Sequence, residues 1–266
     1  MRNLLLRIAY DGTDYSGWQT QPNRSTIQGV LTQVLGKITG ERVEVRGSGR
    51  TDAGVHALAQ SASIRLHCSI PCGNLLTALN DLLPESIRIN SVDEAPEGFH
   101  ARHDALWKIY QYRIYRDPIC PPMRIRYVAV ISYRLDENAM MAAASRFEGE
   151  KDFRSFASTE DGDKRKEKSF VRTIYSSVLE RDGSELVYTV RGRGFLHHMV
   201  RNIVGTLVQA GREHWAPGVM DEILAARDRS RAGKTAPAQG LHLLHVEYPK
   251  TVGGGSILVE RIGSGL

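Results

Sequence analysis

The stretch "RGSGRTDAGVHALAQ", Arg46–Gln60, places three glycines, two arginines, one aspartate and one histidine within fifteen residues. Segments that we predict to be short strands lie on either side of it, around Val43–Arg46 and Ala59–Leu66. Glycine adopts backbone conformations that other residues avoid, and it lets a ligand come close to the chain. The sequence therefore predicts two strands joined by a bent loop that carries one carboxylate, Asp52.

The segments around this loop complete a regular order. Apolar residues alternate as in a strand at Leu4, Leu6, Ile8 and Tyr10. They recur at helical spacing at Ile27, Leu31, Val34 and Ile38, and again at Leu75, Leu76, Leu79 and Leu82. Ser25 and Gln28 have the spacing of a capping box at the start of the first helix. Pro84 ends the second helix, and Ile87–Val92 predicts a strand. The resulting order is β-α-β-β-α-β.

The second half of the chain nearly repeats this order, without a repeat of the sequence itself. The predicted strands are Trp107–Tyr115, Tyr127–Ser132, Val171–Arg181, Leu186–Val190 and Leu241–Tyr248. The predicted helices are Glu137–Phe147, Leu196–Ala210 and Gly218–Ala226. A turn is expected at Asp182-Gly183, between two of the strands.

The fold class that follows is α+β. We expect two ferredoxin-like halves that form one continuous, mostly antiparallel sheet, with helices on one side and a cleft between the halves. The expected ranges are 1–106 for the half with the Asp52 loop, 107–250 for the second half with its insertions, and 251–266 for a C-terminal tail. The charged segment 158–169 is expected to be solvated.

Composition limits the possible functions. The chain has 266 residues, of which 41% are hydrophobic and 24% charged, as in an ordinary protein with a sizeable core. No apolar run approaches the roughly 20 residues of a membrane helix, and the N-terminus lacks the pattern of a signal peptide. A cytoplasmic protein without membrane association is therefore expected. The formal net charge of +5 is compatible with a polyanionic partner.

The three cysteines do not suggest a disulfide framework, because their number is odd. His67, Cys68 and Cys72 are close in sequence, but no second Cys or His pair stands at zinc-site spacing. Ordinary buried or loop thiols are the preferred interpretation, and no metal is expected.

Several common catalytic motifs are excluded. Asp52 occupies the third glycine position of a dinucleotide-binding motif that would begin at Gly47. A phosphate loop from Gly49 to Gly54 lacks the lysine that should follow, and "AGKT" at 232–235 has Asp228 in place of the first glycine. No serine stands in a G-x-S-x-G elbow, so a hydrolytic triad has no support.

What remains is a lone carboxylate with cations and aromatics elsewhere in the chain. Arg50 is two residues from Asp52, so on an extended segment both side chains would point to the same side. In "WKIYQYRIY" Tyr110 and Tyr112 share one strand face, either to stack on a nucleobase or to pack in the core. Arg201 lies at the edge of an apolar helix stripe, either as a surface residue or as a part-buried cation that pairs with Asp52.

The sequence closely resembles the tRNA pseudouridine synthase A family along nearly its whole length. The motifs that carry the resemblance are "YDGTDYSGWQ" at 10–19, "STIQGVL" at 25–31, "GSGRTDAGVHA" at 47–57, "KIYQYRIY" at 108–115, "DFRSF" at 152–156, "GFLHHMVRNIVGTL" at 194–207 and "AGKTAPAQGL" at 232–241. Lys108 departs slightly from the family, which often has arginine before the first tyrosine. Lysine would keep the charge but lose the bidentate geometry.

The resemblance implies a cofactor-free homodimer that isomerises uridine to pseudouridine at positions 38, 39 and 40 of the tRNA anticodon arm. By the same resemblance, Asp52 is the nucleophile, and Arg50 helps to displace and hold the target base. Tyr110 stacks on the uracil and helps in the proton chemistry. Arg201 is expected to pair with Asp52. The alternative is a non-catalytic RNA-binding protein built from two ferredoxin-like modules, which would leave Asp52 without a purpose.

Overall fold

The computed structural model describes residues 1–158, 169–250 and 252. In that part of the chain it has ten strands: β1 Arg2–Tyr10, β2 Arg46–Gly47, β3 His56–Leu66, β4 Ile87–Ala95, β5 Trp107–Tyr115, β6 Ala129–Val130, β7 Gly149–Asp152, β8 Val171–Asp182, β9 Glu185–Gly192 and β10 Leu241–Glu247. The five α-helices are α1 Ile27–Thr39, α2 Cys72–Leu82, α3 Glu137–Ala144, α4 Met199–Glu213 and α5 Val219–Ala226. The charged segment lies almost wholly outside the described residues, as does the tail.

The chain divides into two compact units. Unit 1 contains Met1–Trp107 and the described residues from His242 onward, and unit 2 contains Lys108–Leu241. The strand predicted to close the second half, β10, therefore groups with unit 1 rather than with the range 107–250. β10 pairs in parallel with β3, and His242 lies opposite His56 in this pairing. Sequence pattern predicts a strand but not its neighbour.

Unit 1 has the predicted β-α-β-β-α-β order, and β10 is added to it. Its strands lie in the order β4-β1-β3-β10, and the short β2 pairs with β3. All these pairings are antiparallel except that of β10. This is the arrangement of a ferredoxin-like sheet with one extra strand.

The centre of unit 1 is β1, which is buried on both faces. Leu4, Leu5 and Leu6 are all 0% exposed. On the face of Leu5, the side chain of Asn3 donates to the carbonyl of Phe99 and the guanidinium of Arg7 donates to that of Val246. The segment that follows β4 and the end of β10 therefore cover the face of β1 that carries Asn3 and Arg7.

The capping-box prediction for α1 is wrong by one residue. The N-cap is Thr26, whose hydroxyl accepts the backbone N–H of Gly29, and Gln28 instead donates from its amide to the carbonyl of Val45. Ser25 bonds through its carbonyl to the backbone N–H of Ser16. Both hydroxyl residues are suitable caps, and the path of the preceding chain decides which one is used.

Unit 2 is built on strands in the order β5-β9-β8-β7, all antiparallel, with β6 added in parallel to β5. The bounds of β5 are those predicted. β8 and β9 form a hairpin in which Asp182 lies opposite Glu185, so the turn residues are Gly183 and Ser184, with Gly183 at φ 55°. Helices α3 and α4 pack on each other, and α3 also packs on β8.

Several elements of unit 2 differ from their predicted bounds, and β7 was not predicted. The two largest differences concern β6 and the start of α4. The strand predicted over Tyr127–Ser132 shrinks to the two residues of β6. The helix predicted from Leu196 begins at Met199, because His198 adopts a left-handed conformation with φ 61° directly before it. The mostly antiparallel α+β class is confirmed. None of the described helices combines the length and the apolar character that crossing a membrane requires.

Candidate active site

Asp52 lies in an irregular loop, residues 48–55, that connects β2 to β3; we call it the aspartate loop. Asp52 is half-buried, and its backbone carbonyl accepts the N–H of Val55 to form a turn. Gly54 takes φ 76° within this turn, a conformation that few other residues adopt without strain. The turn therefore presents the Asp52 side chain at a bend rather than on a strand.

The residue before Asp52 is held by the core of unit 1. The hydroxyl of Thr51 lies 2.8 Å from that of Tyr10, and its carbonyl accepts the backbone N–H of Trp18 at 3.0 Å. Burial raises the pKa of Tyr10 to about 12, although hydrogen bonds with Thr51 and Gln60 act in the opposite direction. Tyr10 is therefore neutral at physiological pH and acts as a fixed support for the loop.

Residues 12–19 pack directly on the aspartate loop, which sequence reasoning missed. A Cβ on Gly17 would lie 2.7 Å from the carbonyl oxygen of Thr51, and a Cβ on Gly12 would lie 2.0 Å from that of Val55. Gly17 also takes φ +89°. Both glycines belong to the motif "YDGTDYSGWQ", but periodicity gives no sign that they touch a loop more than thirty residues away.

The interpretation of the loop glycines needs one correction. Gly47 was expected to let a ligand approach, but a Cβ there would lie 2.5 Å from the ring of Trp18. Its small size serves the packing of a buried indole, not the approach of a ligand. Gly54 serves the turn, as described above.

Arg50 is an exposed residue of the aspartate loop. Its Nε donates to the side-chain oxygen of Gln19 at 3.1 Å. This bond links the loop again to the segment that contains Gly17. The structure thus brings Arg50 and Asp52 into one loop, with Arg50 on the solvent side.

The candidate residues of unit 2 lie on β5 and α4. Tyr110 is 8% exposed, and its ring meets that of Phe195 edge to face at 5.1 Å between centroids. Tyr112 is fully buried and donates its hydroxyl to the carbonyl of Pro237 at 2.8 Å. The core interpretation is therefore correct for Tyr112, whereas Tyr110 lies at the border of the core beside the half-buried Phe195.

Arg201 is half-buried in the first turn of α4. Its Nε donates to the carbonyl of Ala236 at 2.8 Å, and its own carbonyl accepts the backbone N–H of Ala236 at 3.1 Å. The segment that provides Ala236, residues 229–236, contains the "AGKT" tetrapeptide that the sequence excluded as a phosphate loop. Its role in the structure is to dock on α4 and hold Arg201.

Polar residues of α4 fix this segment. The side-chain oxygen of Asn202 accepts from Arg229 at 3.0 Å and from the hydroxyl of Thr235 at 2.7 Å. The hydroxyl of Thr206 accepts the backbone N–H of Gly233 at 2.9 Å. Burial lowers the pKa of Arg229, whose described hydrogen bonds all go to neutral oxygens.

Neither a metal role nor a disulfide role is expected for the cysteines. Cys68, Cys72 and Cys120 are all free thiols. Within the residues that the structure describes, His67, Cys68 and Cys72 do not bring their ligand atoms together as a metal site requires.

Comparison with known proteins identifies the family. A family model described as tRNA pseudouridine synthase matches residues 7–104 and 143–249. The chain belongs to the tRNA pseudouridine synthase family. A protein of Solibacter usitatus, named tRNA pseudouridine synthase A, is 50% identical over 248 residues, which cover 93% of this chain and 100% of that relative. Proteins of the same name from Brevibacillus brevis and Caldicellulosiruptor bescii are 46% and 42% identical, with the same coverage.

Membership of the tRNA pseudouridine synthase family confirms the resemblance seen in the sequence and makes the protein an isomerase. Asp52, Arg50 and Arg201 lie inside the matched residues, whereas Tyr110 lies between the two matched segments. The family match does not itself assign a role to any of the four. The predicted pairing of Asp52 with Arg201 joins residues of different units and stays a prediction.

Proposed function

We propose that the protein isomerises uridine to pseudouridine at positions 38, 39 and 40 of the tRNA anticodon arm, with Asp52 as nucleophile after the base has flipped out of its helix. The observation that carries the assignment is the setting of Asp52. Its side chain is half-buried at a bend, and Thr51 before it is bonded to both Tyr10 and Trp18. A carboxylate held in this way suits attack at a defined atom.

The reaction accounts for the small set of residues. The bond between C1′ of the ribose and N1 of uracil breaks, the base turns, and a bond from C1′ to C5 forms. The C5 hydrogen leaves as a proton and N1 gains a proton, so no electrons are transferred and no water is consumed. Asp52 either adds to C1′ or stabilises an oxocarbenium-like sugar, and both routes require an ionised carboxylate. We therefore propose a reaction without a cofactor.

The other residues would offset the cost of base flipping, which is a few kcal/mol. Arg50 is exposed on the same loop as Asp52, so its guanidinium is available to occupy the space that the base leaves. Tyr110, at the edge of the core, would stack on the flipped uracil. Arg201 would keep Asp52 ionised, because a neighbouring cation favours the charged form of a carboxyl group.

The assembly and the compartment are part of this proposal. We expect a homodimer in the cytoplasm whose basic surface attracts the tRNA backbone in a salt-dependent way. Light scattering should then give about twice the 29.6 kDa mass of one chain. A monomer at micromolar concentration would contradict the dimer but not the reaction.

Release of tritium from tRNA labelled at C5 of uridine tests the reaction, because an isomerase of this kind must expel that hydrogen. Wild-type protein should release tritium, and Asp52→Asn should release none while it still binds tRNA. Asp81→Asn is a suitable control, because it changes an exposed carboxylate on α2 and should behave as wild type. Release by Asp52→Asn at the wild-type rate would refute the nucleophile assignment. Binding without release by wild type would favour the non-catalytic alternative.

A further inference from the structure

Gln60 is a buried polar side chain in the middle of β3. It is 0% exposed and lies opposite Ile8 of β1. Burial of an amide without hydrogen-bond partners costs about 2–7 kcal/mol, and an apolar side chain would fit this central strand at no such cost. The reason for a glutamine here must therefore lie in what its amide binds.

Most of the hydrogen bonds of this amide go to the aspartate loop. Its oxygen accepts from the hydroxyl of Ser48 at 2.7 Å and from the backbone N–H of the adjacent Ser61 at 3.1 Å. Its nitrogen donates to the backbone carbonyl of Gly49 at 3.1 Å. Ser48 is itself 0% exposed, and its backbone N–H donates to the carbonyl of Ser61 at 2.7 Å. The start of the loop is thus bonded to β3 through Gln60 and Ser61.

The same polar layer extends to the residue before Asp52. The hydroxyl of Tyr10 lies 2.8 Å from that of Thr51. Gln60 therefore fixes the start of the short backbone run from Ser48 to Thr51, and Tyr10 holds the side chain at its end. The Cα of Asp52 follows directly, so its position depends on that run.

We infer that Gln60 is a positioning residue for Asp52: its amide fixes the backbone of the aspartate loop in the geometry that the isomerisation needs. The inference rests on the proposed role of Asp52. A displacement of about 1 Å at a reacting group can reduce the rate on the order of a hundredfold. Loss of the Gln60 amide should accordingly lower kcat while KM for tRNA stays unchanged.

The test compares two substitutions that each replace a buried amide by an apolar side chain of similar size. Gln60→Met removes the bonds to the loop. Asn3→Leu is the matched control on β1: Asn3 is 5% exposed and donates to the carbonyls of Pro96 and Phe99, away from the loop. Thermal unfolding, tRNA affinity, kcat and KM are measured for both and for wild type, by tritium release.

Both variants should melt at a lower temperature than wild type, because each leaves backbone carbonyls without a donor. Gln60→Met should lose about tenfold or more in kcat with little change in KM, whereas Asn3→Leu should keep the wild-type kcat. Equal kcat in the two variants, below their melting temperatures, would overturn the inference and leave Gln60 a purely structural residue.

If Gln60→Met does not fold, Ser48→Ala decides the question. It removes one hydroxyl that bonds the Gln60 amide and preserves the backbone bond from Ser48 to Ser61. A lower kcat at unchanged KM would support the inference, and a wild-type kcat would overturn it. Wild-type tritium release and its loss in Asp52→Asn report on the proposed function, whereas the kcat ratio of Gln60→Met to Asn3→Leu reports on Gln60 alone.

Discussion

Asp52 stands on an irregular loop of unit 1, whereas Arg201 stands in the first turn of a helix of 15 residues in unit 2. The backbone of α4 is fixed by its own hydrogen bonds, and its neighbours need only to orient the guanidinium. The aspartate loop has a turn of its own, closed by the bond from the Val55 N–H to the Asp52 carbonyl. Elsewhere it is held from outside: Gln60 and Trp18 bond its backbone, and Tyr10 bonds the hydroxyl of Thr51.

The two regions nevertheless share one structural device. Each has a glycine where a second segment crosses at a distance that no Cβ allows: Gly17 against Thr51 in unit 1, and Gly205 against Lys234 in unit 2. The consequences of filling these positions should differ. A clash on α4 should mainly affect stability, because the helix keeps its shape, whereas a clash at the aspartate loop should mainly affect catalysis.

The largest effect is expected for Gly205→Ala. Its Cβ would lie 1.7 Å from the carbonyl oxygen of Lys234, so segment 229–236 must move away from α4. We expect a loss of about 3 kcal/mol in the free energy of unfolding, measured with urea. Gly36→Ala in α1 is the matched control, since its nearest neighbour is 3.5 Å away, and it should gain about 0.5–1 kcal/mol from helix propensity. Equal stability of the two variants would contradict the close crossing.

A smaller effect, on a different quantity, is expected for Gly17→Ala. A Cβ at this position would press on the carbonyl of Thr51 and displace the neighbouring Asp52, so kcat should fall about tenfold. The control is Gly40→Ala, which has a similar positive φ of +70° but no neighbour within 4 Å. Both variants should lose about 1 kcal/mol through backbone strain, but only Gly17→Ala should turn over more slowly. An unchanged kcat in Gly17→Ala would show that the contact between Gly17 and Thr51 does not influence catalysis.

The smallest effect is expected for Thr235→Val, which removes the hydroxyl that donates to Asn202 and accepts from Arg229. The loss of these two hydrogen bonds should cost about 1–2 kcal/mol in urea unfolding. We expect kcat to remain that of wild type, since the α4 backbone still places Arg201. A large loss of kcat would show that segment 229–236 controls Arg201 as closely as Gln60 is proposed to control Asp52, and the contrast between the two regions would disappear.

The sequence predicted those parts of the fold that depend on local pattern. β5 has the predicted bounds, because it is a short run rich in aromatic and β-branched residues. The βαββαβ order of unit 1 was likewise readable. The N-cap of α1 and the start of α4 were missed because Thr26 and His198 take their roles from the path of the adjoining chain.

The candidate site was predictable only as a set of residues. Motif resemblance selected Asp52, Arg50, Tyr110 and Arg201, but no periodicity relates Gly17 to Thr51 or Gln60 to Gly49. These contacts depend on how distant segments meet in three dimensions. The membership of β10 in unit 1 was missed for the same reason, since a strand pattern does not name its pairing partner.

The most direct test of the account is to map pseudouridine in tRNA that lacks it, after treatment with wild-type protein and with Asp52→Asn in parallel. We predict pseudouridine at positions 38, 39 and 40 with wild type, and none with the variant although it binds the same tRNA. Pseudouridine formed equally by both proteins, or formed by wild type only outside the anticodon arm, would contradict the account.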